Sequence, residues 1–166
     1  MRPTAVVLFA LAAGCGKLPS AADPLAADRE RFQGTWVVER LDTGSPQETA
    51  RMFEDAREDR LRFEGETLTV TSPRETERLT FALDAARSPR GLTITNPETA
   101  TQPARSRRWI YRFDGDTLVL AFRSDGTDAP PDDFEPRRSS AAGEPGVTVV
   151  WLRKVGGPAD APPESR

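Results

Sequence analysis

The 166 residues include no histidine. That excludes Ser-His-Asp and Cys-His catalysis, histidine-ligated zinc and a histidine-based pH switch. The one cysteine, Cys15, has no partner for an intramolecular disulfide and cannot build a thiolate cluster. Chemistry therefore falls to carboxylates, Arg, Lys, hydroxyls and the single tyrosine, Tyr111. Asp114 and Asp116 could form a hydrolytic carboxylate pair; the plainer reading makes Asp114 turn chemistry and Asp116 a strand end. Asp132, Asp133 and Glu135, with Asp125 and Asp128, offer oxygen ligands suited to Ca²⁺. EF-hand spacing is absent, which favours a solvated acidic loop. Arg105, Arg107 and Arg108, or the pair Arg137 and Arg138, could bind an anion, with ordinary surface charge as the alternative. Trp36, Trp109, Tyr111 and Phe122 could line a ligand cavity. No nucleophile-base pair is recognisable, so the chain reads as a non-enzyme with no cofactor.

The elements that must position these residues occupy one domain, the number that the length favours. Hydrophobic residues make up 37% and charged residues 30%, which allows one modest core. A net charge of -3 argues against general nucleic-acid binding, which needs clustered excess Lys and Arg. Residues 5–13 form an apolar run too short for a membrane span and suited to a signal peptide. The run Leu11-Ala12-Ala13-Gly14-Cys15 resembles a bacterial lipoprotein signal, although the favoured Leu stands one position early. The expectation is a signal peptide over 1–14, cut before a lipidated Cys15 that anchors the protein to a membrane. By the same analogy, Gly16 after the cysteine favours the outer membrane. Residues 15–30 read as the lipidated cysteine and a flexible tether, 31–155 as the folded domain and 156–166 as a disordered tail.

Within the domain, runs of period two predict eight strands: 32–41, 59–64, 66–72, 77–83, 91–95, 107–113, 117–123 and 147–155. One helix is predicted over 47–58, with Ala50, Phe53 and Ala56 on one side. Two hairpins repeat a pattern: residues 62–70 and 112–120 each place an acidic-Gly pair between alternating runs. Shared turn chemistry explains this better than duplication. A two-residue Asp114-Gly115 loop of type I′ pairs Phe113 with Asp116, Tyr111 with Leu118 and Trp109 with Leu120. The other face, with Arg108, Ile110, Arg112, Thr117, Val119 and Ala121, is mixed and expected to be wet. An eight-strand meander closes into an all-β antiparallel barrel without free edges.

Gly34-Thr35-Trp36 at the first strand resembles the Gly-x-Trp opening of lipocalin-like barrels. More closely, three segments resemble a family of uncharacterised secreted proteins expanded in planctomycetes. They are Phe32-Gln33-Gly34-Thr35-Trp36, the run from Tyr111 to Leu120 around Asp114-Gly115-Asp116-Thr117-Leu118, and Val149-Val150-Trp151-Leu152-Arg153-Lys154. The loop over 125–146 departs from the shorter segment usual there. The resemblance implies a lipocalin-like barrel in the cell envelope and brings no established activity. Trp36 is then expected to plug one end. Val38, Phe63, Leu68, Phe81, Trp109, Tyr111 and Leu118 complete the inward-facing set that would line a cavity. An eight-strand interior is either filled or just wide enough for one small ligand. The expected partner is accordingly a small apolar or amphipathic molecule, or, for a filled barrel, another envelope protein.

Overall fold

The computed structural model describes residues 23–99, 102–125, 127–140 and 143–156. The predicted signal peptide, Cys15 and all of the predicted tail except Gly156 lie outside the described residues. Eight strands run in order: β1 (Gly34–Asp42), β2 (Arg60–Glu64), β3 (Thr67–Thr71), β4 (Thr76–Asp84), β5 (Gly91–Asn96), β6 (Arg105–Asp114), β7 (Thr117–Arg123) and β8 (Val147–Val155). Each pairs antiparallel with the next, and β8 returns to β1, so the sheet closes as an up-and-down, lipocalin-like barrel. The eight predicted strands are the eight observed. Alternation along each strand sends one set of side chains inward, and these merge into a single core that includes Trp36, Phe63, Leu68, Phe81, Tyr111, Leu118 and Leu152.

Two helices flank the barrel. The first, α1 (Ala26–Phe32), was expected to be tether and strand. Its residues are mostly polar; within it only Asp28 and Phe32 are buried, and Leu25 is buried just before it. The second, α2 (Pro46–Ala56), starts at Pro46, whose fixed φ suits the first helical turn. It packs Met52 and Phe53 against the core, while Ala50, predicted on the inner side, is exposed.

The hairpin registers differ from expectation in one case. In the first hairpin Phe63 pairs with Leu68 and Leu61 with Val70. In the second hairpin Asp114 pairs with Thr117, Phe113 with Leu118 and Tyr111 with Leu120. The loop is therefore Gly115-Asp116, not Asp114-Gly115. Gly115 has φ +58° and no described non-glycine residue has positive φ, which matches a type II′ turn with glycine first. The register moves by two residues, so every side chain keeps its face. Trp109 now falls opposite Phe122, and the two rings stack at 4.6 Å.

The outer face of β6, β7 and β8 is not wet. Ile110, Val119, Ala121, Val147 and Val149 form a second buried cluster outside the barrel, with Phe134 and Trp151 against it. The long segment after β7 folds back over this face, burying Pro130 and Pro131 and bridging Arg137 to Val147. Its fit is close: a Cβ on Gly146 would meet the Ser139 nitrogen at 2.7 Å, and one on Gly44 the Arg138 nitrogen at 2.7 Å.

Candidate functional site

The two ends of the barrel are built differently. At one end, α1 and the short hairpin turns close the bottom. Phe32 is fully buried and touches four rings, with centroids 5.2 Å from Phe63, 5.8 Å from Phe81, 5.0 Å from Tyr111 and 5.3 Å from Phe113. The Gly34-x-Trp36 motif makes this junction. Gly34 turns the chain from helix to strand at φ +112°, and a Cβ there would stand 2.8 Å from the Lys154 side chain. Two residues on, the Trp36 indole N–H donates to the Phe32 carbonyl at 2.7 Å, satisfying a buried donor. Gln33 ties the junction to the β2–β3 turn: its side-chain oxygen accepts from the Gly65 N–H at 2.7 Å.

A polar cluster around the buried Asp28 and Tyr111 latches the helix. Tyr111 donates its hydroxyl to Asp28 Oδ2 at 2.7 Å, and Arg90 pairs with the same carboxylate oxygen. Burial, and then the hydrogen bond to Asp28, raise the Tyr111 pKa above the ordinary phenol value. Arg90 is itself held protonated more firmly by Asp28. These groups border a broad surface hollow of about 470 Å³ with Arg31, Arg112 and Phe134. Its charges are engaged: Arg31 lies over the Phe113 ring, and Arg112 pairs with Asp114 and lies over Phe134. The hollow therefore reads as the outer side of the latch.

The opposite end opens. A cavity of about 380 Å³ lies between β2, β3, β4, β5 and β6. Its wall is apolar, with Leu61, Leu68, Val70, Leu79, Ile94 and Trp109, and its rim is polar, with Glu77, Asn96, Gln102, Arg105 and Arg107. Of the eight residues proposed as ligand-lining, Leu68 and Trp109 border this space. Trp36, Val38, Phe63, Phe81, Tyr111 and Leu118 pack in or against the filled half of the core. The barrel is thus filled in one half and open in the other. The indole N–H of Trp109 is buried without a hydrogen-bond partner among the described residues.

The arginines singled out from the sequence separate by face. Arg108 points outward and donates to the Asp128 carbonyl, and Arg137 pairs with Asp133. Arg105 and Arg107 share the inward parity of Trp109 and Tyr111, which no charge count along the chain reveals. The acidic residues do not assemble a cation site: among the described residues no three Asp or Glu converge. Asp125 caps its own loop through Thr127, which holds its pKa below the ordinary carboxylate value, and Arg137 does the same for Asp133. Asp114, read as turn chemistry, is instead the last residue of β6 and pairs with Arg112, while Asp116, read as a strand end, lies in the two-residue loop with Gly115. One carboxylate runs the other way. Asp59, just before β2, is raised by burial and by nearby Asp55, and its Oδ1 has no partner among the described residues.

Fold and site together define the class: a lipocalin-like closed barrel of eight antiparallel strands, with one end packed and the other holding an apolar cavity under a charged rim. No family model, curated protein or solved structure matches the chain.

Proposed function

We propose that this protein is an extracytoplasmic binding protein, tethered to a membrane through lipidated Cys15, that takes one small apolar or amphipathic molecule in the open half of its barrel. The observation that supports the reading is the cavity of about 380 Å³, apolar within and polar at its rim. Ligand sites are typically concave, mostly apolar, of roughly 300–1,000 Å³, with few polar groups. The anchor and the membership in the planctomycete-type family rest on the motifs of the sequence, Leu11 to Cys15 and the Gly34-Thr35-Trp36 opening.

Binding is tested by titrating the protein with a fluorescent apolar probe. Saturable one-to-one binding with quenching of tryptophan emission is expected, because Trp109 stands in the cavity wall. Val70→Phe adds bulk at the wall and should abolish the signal while circular dichroism stays unchanged. Without saturable binding, the barrel would act instead through its loops on an envelope protein. The anchor has its own test. Cys15→Ser should move the protein from the membrane fraction to the soluble extracytoplasmic fraction. Wild-type protein that is already soluble and unacylated would overturn it.

A further inference from the structure

We infer that the open half of the barrel selects single-chain amphiphiles with an anionic head, and that Arg105 and Arg107 bind that head. This rests on the cavity reading above and adds the chemistry of the ligand. On β6 the inward positions run Arg105, Arg107, Trp109, Tyr111, Phe113. The last three belong to or pack against the core. The first two continue the same row past the end of the apolar lining, where they border the cavity mouth. Both side chains are exposed there, at the level where the inward rows of β4 and β5 also end in polar residues, Glu77 and Asn96.

Neither Arg105 nor Arg107 makes a side-chain hydrogen bond or ion pair among the described residues, whereas their neighbour Arg108, and Arg137 after β7, are both engaged. Glu77 borders the same mouth across β5 and likewise has no side-chain hydrogen bond or ion pair among the described residues. The rim therefore carries two cations against one carboxylate. Guanidinium groups present fixed forks of donors that match carboxylate and phosphate oxygens. Beneath them, Leu79, Ile94 and Trp109 offer apolar wall to a hydrocarbon tail. A neutral apolar molecule would use the wall and leave both guanidiniums idle. An anionic amphiphile uses wall and rim together, with the head held where water still reaches it.

The test compares dodecanoate, dodecyl phosphate and dodecanol as competitors of the bound fluorescent probe, on the intact protein. Both anions should displace the probe about tenfold or more better than dodecanol. The double variant Arg105→Gln/Arg107→Gln should abolish that preference and leave dodecanol unchanged. Glu77→Gln should tighten both anions, an effect that a merely structural role for these exposed side chains would not produce. A preference between dodecanoate and dodecyl phosphate identifies the head as a carboxylate or a phosphate. Equal displacement by dodecanol and the anions, or a double variant that weakens all three alike, overturns the anionic head while the cavity reading stands. Failure of the fluorescent probe and all three competitors to bind overturns both.

Discussion

Replacing Phe32 by alanine should remove about 3–5 kcal/mol of folding stability, the range for deleting a buried phenylalanine ring. The ring has no exposure and is the hub of an aromatic cluster, in edge-to-face contact with Phe63, Tyr111 and Phe113. Such contacts add to area burial. Against a typical domain stability of about 5–15 kcal/mol, the loss is a large share. The substitution should also release α1, because Phe32 is the last residue of that helix and its carbonyl accepts the Trp36 indole N–H. Urea denaturation measures the loss, and Trp36 emission reports the release. The half-buried Phe113 provides the comparison, since it touches the same cluster from β6. A cost at Phe32 below that at Phe113 would mean that the helix does not close the barrel.

The same helix marks the boundary of what could be read from the chain. Strand number and inward faces were legible because burial on one side imposes period two, and β2, β3, β4 and β5 carry it plainly. Helix α1 was not. Ala26 to Arg31 offers no apolar stripe, and the signal that it docks is the burial of one carboxylate, Asp28, whose partners Arg90 and Tyr111 lie 62 and 83 residues away. On β1 a bulge between Val38 and Arg40 breaks the alternation. Glu39 and Arg40 both face solvent there, and Leu41 returns inward. The buried outer face was misread for a related reason. Ile110, Val119 and Ala121 looked mixed with their charged neighbours, and a Pro- and Asp-rich loop looked solvated, yet that loop is what covers them.

The site was legible in part. The inward-facing set was legible as a set, since Trp36, Phe63, Leu68, Tyr111 and Leu118 all lie in the core. Whether that set leaves a void depends on how side-chain volumes meet across the barrel, which alternation along one strand does not encode. The void proves to lie nearer the rim, where the inward rows turn from aromatic to charged. Arg105 and Arg107 were visible as a basic cluster. Their separation from Arg108 required the strand's phase, and β6 begins two residues earlier than its apolar pattern suggests.

Leu118, Thr117 and Val119 are consecutive on β7 and should respond to alanine in three different ways. Leu118 faces the barrel interior with no exposure, opposite Phe113 on one side and Leu152 on the other. Leu118→Ala should cost about 2–5 kcal/mol, combining lost transfer energy with a cavity. Thr117 faces outward at the strand end, between Asp114 and Arg153, and is half-buried. Thr117→Ala should cost less than about 1 kcal/mol. Val119 has the same outward parity as Thr117, and a barrel with a wet outer face would make it equally tolerant. It is instead fully buried beneath the segment that carries Phe134, so Val119→Ala should cost about 1–3 kcal/mol. Chemical denaturation of the three variants gives the ranking Leu118, Val119, Thr117. Equal costs at Leu118 and Thr117 would overturn the inward assignment of β7. A negligible cost at Val119 would show that the 125–146 segment does not seal the outer face.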